Sequence, residues 1–389
     1  MRVAVVAEYY PRAQDPVLGV WAHRQALAAR DAGAEVRVLV LHRPVPSRAA
    51  LRSRSPRALL APLRQPLHAE LDGLAISYVP FLAPPRPRSY GSWGAWGAPP
   101  LALALRRLQR TFAFDLVHAH YAAPAGDAVR RARIDRPVVI SVHGGDVLAV
   151  AEESPAGARA VRAALASARL VLANSRAIEQ RSIALGARET RVVHMGTDVP
   201  ERHAREGGEP RLVTLGHLVA RKRHADVLRA LWLLSDQHPG VSWEVIGDGP
   251  ERPELERLAG ALGLADRVRF HGQLPHEAAL AATRDGDVFV LPSIDEAFGV
   301  AYIEAMAAGI PAIGCRGEPG PEEIVAAGQG MRLVAPGDPE ALAAELHTLL
   351  IEPRWRRELG AAARATVRAS FTWEACGQAT VAAYEEAVR

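Results

Sequence analysis

The sequence predicts an α/β protein made of two doubly wound parallel-sheet domains that face each other across a cleft. Short runs of β-branched and aliphatic residues alternate with amphipathic stretches along most of the chain, and strands that alternate with helices form parallel sheets. The alternation stops at a polar segment rich in Gly and Pro, residues 199–210, and then begins again. A chain of 389 residues is long enough for two domains of ordinary size.

The first predicted domain spans residues 1–198. It begins with a buried-type strand, and Gly19 stands where this strand joins the first helix, a place where a ligand phosphate can approach the backbone. No G-x-G-x-x-G accompanies this glycine, so a dinucleotide site is not indicated. The predicted strands are residues 2–8, 35–41, 115–120, 137–143, 170–174 and 190–195, and the predicted helices are residues 20–32, 100–112, 125–132, 156–167 and 176–184.

Residues 43–100 interrupt this alternation and are predicted to form a basic, irregular region. Six arginines and no acidic residue lie between Arg43 and Gln65, interleaved with leucines, so part of this stretch is predicted to be a basic amphipathic helix. A second irregular segment, residues 84–100, combines arginine with tyrosine and tryptophan. Two interpretations are open: the region rests on an anionic bilayer, or it is a mobile loop that closes over the cleft. Because no recognition motif accompanies the charge, a nucleic-acid partner is not expected.

The second predicted domain spans residues 211–370, and a final helix in residues 371–389 is predicted to cross back to the first domain. The predicted strands are residues 211–216, 243–247, 268–272, 287–291 and 331–335, with a further strand that ends at Cys315. The predicted helices are residues 224–236, 251–262, 276–283, 320–327, 338–350 and 354–369, together with a helix of about ten residues that opens at Gly299.

Composition and charge restrict the function classes. No apolar run approaches the ~18–20 residues of a membrane span, no signal peptide is apparent, and two cysteines indicate a reducing compartment, so a cytoplasmic location is expected. Residues 1–200 hold 27 arginines and 15 acidic residues, a net charge of +12, whereas residues 201–389 hold 20 basic and 28 acidic residues, a net charge of −8. This asymmetry indicates an anionic partner for the first domain.

One lysine, Lys222, stands among 46 arginines, which indicates a role for a compact point charge that a planar guanidinium cannot mimic. It follows Gly216 by six residues and opens a helix, so its ammonium group can reach the carboxyl end of the preceding strand. Tight glycine turns and the helix N-terminus at Gly299 are predicted at the same edge. Together these features predict a site for a diphosphate.

Two carboxylates flank that helix N-terminus. Glu296 lies in the loop before the helix and Glu304 in its second turn, outside the carboxyl end of a strand, where α/β proteins bind nucleotides. The alternative is that each acid only complements the helix dipole.

Three histidines lie at the corresponding edge of the first domain. His118 and His120 share one strand face and are expected to be core or hydrogen-bonded side chains, whereas His143, which precedes Gly144-Gly145, is expected to be presented to the cleft. Because no cysteine or acidic partner stands at a familiar zinc spacing, no metal is expected.

The segments EAFG at residues 296–299 and EAMAAGIP at residues 304–311 match the pattern E-x-F-G-x-x-x-x-E-A-M-A-x-G-x-P. The chain therefore resembles the retaining glycosyltransferases of family 4, which have the GT-B fold of two Rossmann-like domains. DLVHAHYAAPAG, VISVHGGDV and RVVHMGTD agree as well, and the likeness covers nearly the whole length, most loosely at residues 43–100. The early segments are most similar to the subgroup of teichuronic-acid and other surface-polysaccharide synthesis.

The resemblance implies roles for individual residues. Glu296 would contact hydroxyls of the transferred sugar, Lys222 would hold the diphosphate, and His143 would lie beside the donor sugar near the reacting carbon. Glu304 would bind the ribose. The remaining implied donor-binding residues are Gly19, His217, Arg221, Gly249, Gly272, Leu274, Phe298, Gly299 and Val300, of which the last three would act through backbone amides.

The chain departs from the family pattern at two positions. His217 stands where the family usually has an arginine, which removes one phosphate cation unless Arg221 or Arg223 replaces it. Val20 stands where the family usually has the second glycine of a Gly-Gly pair.

The implied reaction passes through an oxocarbenium-like transition state, in which the acceptor attacks the face that the diphosphate leaves and the leaving phosphate takes the acceptor proton. It needs no metal or other cofactor.

A UDP-sugar is the first expectation for the donor and GDP-mannose the second. The acceptor is expected to be a glycan or a lipid-linked or otherwise anionic molecule, handled by a cytoplasmic protein peripheral to the inner membrane face. The alternatives are a nucleotide-sugar epimerase, a phosphorylase, which the absence of a second lysine disfavours, and a nucleotide-binding subunit without catalysis.

Overall fold

The computed structural model of the chain describes residues 1–46, 51, 55–86, 89–201 and 208–389. Parts of the predicted basic region (residues 47–50, 52–54 and 87–88) and of the predicted linker (residues 202–207) lie outside the described residues. The chain divides into two compact units, one of Met1–Met195 with Trp373–Arg389 and the other of Gly196–Thr372. The C-terminal helix therefore belongs to the first unit.

The first unit is built on a sheet that has eight strands in the described part of the chain, in the order β3-β4-β2-β1-β5-β6-β7-β8. Its strands are β1 (Arg2–Ala7), β2 (Glu35–His42), β3 (His68–Leu71), β4 (Leu74–Pro80), β5 (Leu116–His120), β6 (Val138–Val142), β7 (Leu170–Ala173) and β8 (Thr190–Val192). All neighbouring strands are parallel except β3 and β4. The direction of strand succession reverses between β1 and β5, which makes their carboxyl ends the expected ligand position of this sheet.

Helices cover both faces of this sheet. They are α1 (Val20–Asp31), α2 (Pro56–Leu60), α3 (Trp93–Thr111), α4 (Asp127–Ala132), α5 (Ala151–Glu153), α6 (Pro155–Ser167) and α7 (Arg176–Ala184). The central strands β1, β5 and β7 are buried almost throughout, as expected for parallel strands that are covered by helices on both faces.

The prediction that residues 43–100 are irregular is wrong in two places. The first is the β3–β4 hairpin, which closes at Asp72-Gly73. Both residues have positive φ angles, 50° and 78°, as a two-residue hairpin turn requires. The Asp-Gly pair is itself a hairpin signal in the sequence, so this strand pair could have been predicted.

The second correction concerns residues 84–100, where α3 begins at Trp93 and continues through Pro99 and Pro100. Two prolines in a helix are a poor local choice, but the helix is fixed by tertiary packing that the sequence pattern does not show. Leu101 and Leu105 are fully buried, and Gly94 lies so close to Asp127 that an added Cβ would be 2.5 Å from its carboxylate.

The second unit contains, among its described residues, a six-stranded parallel sheet in the order β11-β10-β9-β12-β13-β14. Its strands are β9 (Arg211–Leu215), β10 (Ser242–Ile246), β11 (Val268–Gly272), β12 (Val288–Val290), β13 (Ala312–Cys315) and β14 (Met331–Val334). This is the doubly wound order 3-2-1-4-5-6, and the strand succession reverses between β9 and β12. The predicted α/β class, with two doubly wound sheets, is confirmed.

The remaining helices complete the chain. They are α8 (His224–Leu233), α9 (Arg252–Ala261), α10 (His276–Thr283), α11 (Val300–Ala307), α12 (Pro319–Ala327), α13 (Pro339–Ile351), α14 (Pro353–Ser370) and α15 (Trp373–Val388). In the described ranges, no helix combines the length and the apolar character needed to cross a bilayer.

The C-terminal helix α15 packs closely on α1. Gly377 lies against the backbone of α1, where an added Cβ would be 2.2 Å from the carbonyl oxygen of Ala28. Tyr384 of α15 is fully buried and its hydroxyl lies 2.7 Å from His118 Nδ1, so the helix is tied to β5 by a polar contact as well as by packing.

We expect Gly377→Ala to lower the free energy of unfolding by about 2 kcal/mol, because the new methyl group has to push the two helices apart. Chemical denaturation followed by circular dichroism measures this change. The matched control is Gln378→Ala, since Gln378 is exposed on the next position of the same helix. Equal stability of the two variants would contradict the close packing of α15 on α1.

Candidate active site

The carboxyl ends of β9 and β12 form the centre of a site in the second unit. The two strands are neighbours in the sheet, with Leu212 opposite Val288. Lys222 lies in the turn between β9 and α8, and Glu296 lies in the loop between β12 and α11. The reversal of strand order thus brings together two residues that are 74 positions apart in the sequence.

Lys222 and Glu296 form a buried ion pair. The ammonium group of Lys222 donates to Oε2 of Glu296, and the two side chains are only 11% and 10% exposed. The hydroxyl of Ser293 donates to the same oxygen at 3.0 Å, and Nη1 of Arg221 lies 3.9 Å from it. Burial alone would raise the pKa of Glu296, but Lys222, Arg221 and Ser293 together outweigh burial and lower that pKa, so the carboxylate is charged at neutral pH.

A second layer holds this pair in place. The Tyr302 hydroxyl lies 3.0 Å from Ser293 Oγ and donates to the carbonyl oxygen of Leu291 at 2.5 Å. The backbone N–H of Glu296 donates to the carboxylate of Glu318 at 2.9 Å. Tyr302 is fully buried, and burial raises its pKa well above the usual value, so the phenol keeps its proton. The position of Glu296 is therefore fixed from both its backbone and its side chain.

Backbone groups face the same loop. Gly299 has a φ of 88°, in the left-handed region that favours glycine, and immediately precedes the first residue of α11, Val300. Among the described residues no side chain caps this helix, and its first turn carries no acid. The N–H groups of Val300 and Ala301 precede the first bond of the helix, which the N–H of Tyr302 donates to the carbonyl oxygen of Gly299 at 3.0 Å. The side chain of Phe298 is only 1% exposed and its ring centroid lies 5.6 Å from that of Phe371. Phe298 can therefore act on a ligand only through its backbone.

The other predicted donor residues of this unit are placed as follows. Oε1 of Glu304 lies 3.9 Å from Nε2 of His276. Gly272 has a φ of 73°, at the carboxyl end of β11, and Leu274 is half-buried two residues later. Gly249 packs on the backbone of Leu218, where an added Cβ would lie 2.3 Å from the carbonyl oxygen, so packing alone accounts for a glycine at this position.

The two candidate replacements for the missing family arginine differ. Arg221 lies near the Lys222–Glu296 pair, as described above, and its side chain is 46% exposed. Arg223 instead pairs with Asp226, with Nε 2.6 Å from Oδ2. His217 is exposed, and within the described part of the chain its side chain makes no contact with the Lys222–Glu296 pair. Arg221 is thus the only one of these three with a described contact to the pair.

In the first unit, Gly19 lies at the N-terminus of α1. Its φ is 65°, and an added Cβ would lie 2.3 Å from the carbonyl carbon and oxygen of Tyr9. The glycine is required by this close approach, whatever ligand binds nearby.

His143 belongs to an aromatic and imidazole cluster in the same unit. Its ring is partly exposed, and its centroid lies 4.1 Å from that of Trp21. Its Nε2 lies 3.1 Å from Nδ1 of His120, and the two rings are stacked. His118 and His120 are buried, as predicted, and His118 also contacts the hydroxyl of Ser141 at 2.8 Å.

The hydrogen bonds of His120 indicate the proton arrangement of this cluster. Its Nε2 is buried and has no hydrogen-bond partner in the described part of the chain. An orphaned N–H inside a protein is rarer than an orphaned acceptor, so His120 carries its proton on Nδ1 and donates it to His143. Because burial lowers the pKa of His143 well below its usual value, the ring is neutral and its proton lies on Nδ1. His143 can then act as a hydrogen-bond donor through Nδ1.

We expect the free energy of unfolding to decrease as the pH falls below about 6.5. Burial lowers the pKa of His120 to about 3, and burial together with the neighbouring imidazoles lowers the pKa of His118 and His143, so the unfolded chain takes up three protons that the folded chain refuses. Asp146 acts in the opposite sense, because burial raises its pKa to about 6 and the folded chain takes up one proton. For these four groups the net effect of two protons is roughly 3 kcal/mol per pH unit at most. Burial also lowers the pKa of His224 to about 3 and lowers the pKa of His23, His42 and His238, which adds to the loss.

Urea unfolding at pH 7.5, 6.5 and 5.5 measures this dependence. The His120→Gln variant should show a slope smaller by about one proton, or ~1.4 kcal/mol per pH unit. An unchanged slope would mean that His120 is protonated in the folded chain.

Several residues of these clusters were missed by the sequence analysis. Tyr302 and Glu318 became relevant only through their contacts with the loop that carries Glu296, and an apolar helix that contains one tyrosine gives no signal of its own. His276 was also missed, although a histidine that opens a helix near the predicted site could have been considered.

Arg86 and its aromatic neighbours were interpreted as candidates for membrane contact, but they pack on one another. The guanidinium carbon of Arg86 lies 3.7 Å from the ring centroid of Tyr90, and its Nη2 lies 3.2 Å from the buried Glu8. Tyr90 and Trp93 are 6% and 5% exposed. These two rings are therefore not available to a bilayer, whereas Trp96 is 52% exposed.

Comparison with known proteins decides the family. The model for "Glycosyltransferase Family 4" matches residues 18–201, and that for "Glycosyl transferases group 1" matches residues 197–366. The chain belongs to the family 4, group 1 glycosyltransferases. Together the two matches cover both units described above.

Relatives of this glycosyltransferase-family chain agree with that assignment. It is 25% identical over 390 residues to the putative teichuronic acid biosynthesis glycosyltransferase TuaC of Bacillus subtilis, with 95% of each chain covered. It is 32% identical over 178 residues to a GDP-mannose-dependent α-(1-6)-phosphatidylinositol monomannoside mannosyltransferase of Mycolicibacterium smegmatis, a match of 44% of this chain and 46% of the relative. The chain thus spans about half the length of this and another curated relative that it matches.

The fold of this family 4 member is also found among solved structures. Anabaena HepE, solved in complex with UDP and glucose, aligns with a TM-score of 0.72 and 20% identity, covering 99% of this chain and 100% of that protein. The fold is GT-B.

Among the residues that the structure describes, no three His, Cys, Asp or Glu side chains are grouped as metal ligands.

Proposed function

We propose that this family 4 member transfers a sugar from a nucleotide diphosphate sugar to an acceptor with retention of the anomeric configuration. The observation that carries the proposal is the Lys222–Glu296 pair at the reversal of strand order, beside the uncapped N-terminus of α11. A buried ammonium group and free backbone N–H groups at one strand edge suit a diphosphate, and an adjacent carboxylate suits sugar hydroxyls.

In the proposed reaction, Lys222 and the N-terminus of α11 stabilise the charge that develops on the departing diphosphate. Glu296 orients the donor sugar. Its carboxylate accepts a hydrogen bond from Ser293 and its backbone N–H donates one to Glu318, and these two contacts keep it in position. Because the ion pair with Glu296 holds Lys222 in one position, the cation is preorganised, and such preorganisation favours the transition state.

The proposed role of His143 follows from its proton. A neutral ring with its proton on Nδ1 donates a hydrogen bond to a sugar hydroxyl or to the attacking oxygen, and it carries no positive charge. The acceptor attacks the face from which the diphosphate leaves, and a diphosphate oxygen takes the acceptor proton. No protein base and no metal are required in this scheme.

For the donor we favour a UDP-sugar, with GDP-mannose as the second candidate. HepE was solved with UDP, whereas the mycobacterial relative is described as GDP-mannose-dependent. Glu304 is the proposed ribose ligand and Gly272 with Leu274 the proposed neighbours of the base, a set that accepts either nucleotide.

For the acceptor we propose a glycan, or a lipid-linked or otherwise anionic molecule of cell-surface glycan synthesis, handled at the inner face of the cell membrane. Its support is the short basic helix α2 and the turn after it. Leu60 and Leu63 are 46% and 64% exposed, and Arg57 and Arg64 are exposed beside them. Exposed leucines with arginines and no acid suit an anionic bilayer. Flotation of wild type and Leu60→Ser/Leu63→Ser with anionic and neutral vesicles tests this; equal absence from both vesicle types would exclude it.

The central experiment is a binding and turnover panel with UDP, GDP and their sugars. Wild type should be stabilised thermally by one nucleotide series and release nucleotide slowly from the sugar, and Glu304→Ala and Lys222→Ala should weaken that stabilisation. Proton NMR of the product should show the donor's anomeric configuration. Unweakened binding in both variants would refute the site, conversion of the donor to an isomer without acceptor would indicate an epimerase, and binding without any turnover would indicate a non-catalytic subunit.

A further inference from the structure

A row of arginines lies at the amino ends of three strands in the first sheet, opposite the carboxyl ends where His143 and Gly19 lie. Arg136, Arg169 and Arg188 each lie one or two residues before a strand, β6, β7 and β8 respectively. These strands are parallel neighbours, with Val139 opposite Leu170 and Val171 opposite Thr190. Neighbouring strands are about 4.8 Å apart, so the three arginines enter the sheet side by side.

A cavity of about 700 Å³ lies at this row. Two further arginines, Arg130 and Arg133, line it from the end of α4, and Glu189 is the one carboxylate among the lining residues. Five arginines and one glutamate give a net formal charge of +4. The volume is within the roughly 300–1,000 Å³ range of small-molecule sites.

Most of this charge is not neutralised. Arg130 pairs with Asp127 at 2.7 Å, whereas Arg136 donates only to carbonyl oxygens, those of Phe114 and Asp135. For the side chains of Arg169 and Arg188, and equally of Arg133, the structure gives no ion pair or hydrogen bond among the described residues. Four guanidinium groups therefore keep their charge around one cavity.

Helix dipoles explain only part of this arrangement. The C-terminal ends of α4 and α6, at Ala132 and Ser167, lie at the cavity and favour nearby cations, which accounts for Arg130 and Arg133. Arg136, Arg169 and Arg188 precede strands, and strands have only small net dipoles. Like charges that are held side by side repel one another, so a bound anion would stabilise this row.

We propose that this cavity binds a phosphorylated ligand, through bidentate contacts from Arg169 and Arg188 with support from Arg136 and Arg133. The site lies at the amino ends of β6, β7 and β8, whereas His143 and Gly19 lie at the carboxyl ends of the same sheet's strands. It is therefore separate from the proposed acceptor side of the reaction and does not depend on the proposed function. The phosphate can belong to a soluble molecule or to a phospholipid headgroup.

The first test measures binding of inorganic pyrophosphate to the full chain by calorimetry in the presence of saturating UDP. Wild type should bind pyrophosphate, and Arg169→Gln/Arg188→Gln should bind it about 100-fold more weakly, about tenfold for each lost charge-assisted contact. Arg106→Gln/Arg107→Gln is the matched control, because both residues are exposed on α3 and carry the same charge. It should stay within about twofold of wild type.

Two results would overturn the proposal: no pyrophosphate binding by wild type at millimolar concentration, or equal weakening in the two double variants. If instead the proposed donor site were wrong, wild type would bind no UDP, but Arg169→Gln/Arg188→Gln would still bind pyrophosphate more weakly than wild type. Because these arginines are exposed, the unfolding midpoint of the variant should match wild type and exclude misfolding.

The second test identifies the source of the phosphate with vesicles of phosphatidylglycerol and of phosphatidylcholine. If the ligand is a headgroup, Arg169→Gln/Arg188→Gln floats less with the phosphatidylglycerol vesicles than wild type does, when both are compared in the Leu60→Ser/Leu63→Ser background. If the ligand is soluble, flotation is the same for both proteins while pyrophosphate binding still differs. Equal flotation together with equal pyrophosphate binding would overturn the site.

Discussion

Lys222→Met is expected to reduce kcat/KM for the nucleotide sugar by about a thousandfold, because it removes the buried cation that we propose stabilises the leaving diphosphate. The same change leaves Glu296 buried without its partner, which should cost about 3 kcal/mol of the free energy of unfolding. Steady-state nucleotide release and urea denaturation measure the two effects separately. Arg229→Met is the control, since Arg229 is a half-exposed cation on α8 that pairs with Asp226 at 3.1 Å.

A double variant separates the structural from the chemical role of the pair. Lys222→Met/Glu296→Gln removes both charges and should regain most of the lost stability, because no buried charge is left unpaired. Its activity should stay as low as that of the single variant. Recovery of activity together with stability would show that Lys222 acts only on folding.

The single variant should also show a pH dependence of its own. Without Lys222, burial should raise the pKa of Glu296 above its usual value, so the folded chain binds a proton that the unfolded chain releases. The contribution of Glu296 to the stability of Lys222→Met is then greatest at low pH and is lost as the pH rises through the raised pKa. The difference in free energy of unfolding between wild type and Lys222→Met, measured at pH 5 and at pH 8, checks this, because the Glu296 effect makes the variant relatively less stable at pH 8.

Sequence patterns predicted the parts of this molecule that local chemistry determines. Alternating strands and helices fixed the α/β class, and the 276–283 helix and the 268–272 strand agree with the structure at both ends. The lone Lys222 was recognised by composition and Glu296 by its motif. Each of these signals is contained within a short stretch of the chain.

Contacts between distant residues could not be predicted in the same way. The sequence placed Lys222 and Glu296 at one edge of a sheet, but their direct pairing depends on the strand order β9-β12, which no local pattern specifies. The helix predicted at residues 100–112 is present, but its start was placed seven residues too late because two prolines are unfavourable locally, while the packing of Leu101 and Gly94 that outweighs them is tertiary. The row of arginines before β6, β7 and β8 likewise appears only when the strands are placed side by side.

Arg223 shows how such contacts can oppose local preference. It has a φ of 54°, a left-handed conformation that costs a non-glycine residue about 1 kcal/mol. Its side chain is held by Asp226, whose second oxygen accepts from Arg229. The turn directly after Lys222 is therefore shaped by the ion pair of Arg223 with the buried Asp226, which fixes the direction in which α8 leaves the site.

Gly320→Ala is expected to weaken nucleotide binding by more than tenfold although Gly320 has no proposed contact with the donor. The residue lies in the first turn of α12, where an added Cβ would be 2.0 Å from the carbonyl oxygen of Phe298 and 2.4 Å from its Cα. The loop has to shift, and with it the peptide that joins Phe298 to Gly299 at the N-terminus of α11. The N–H of Gly320 also donates to the carbonyl of Glu296 at 2.9 Å, so the shift reaches the carboxylate.

The loss should appear as a higher KM and a lower thermal stabilisation by nucleotide, with about 2–3 kcal/mol less free energy of unfolding from overpacking. Gly260→Ala is the matched control, because Gly260 lies in the last turn of α9 with no atom within 4 Å of an added Cβ. That change should leave nucleotide binding unchanged and stabilise the chain by roughly 0.5–1 kcal/mol. Unchanged nucleotide affinity in a destabilised Gly320→Ala variant would mean that the backbone of the Phe298–Gly299 loop does not hold the diphosphate, and would leave Lys222 as its main ligand in the second unit.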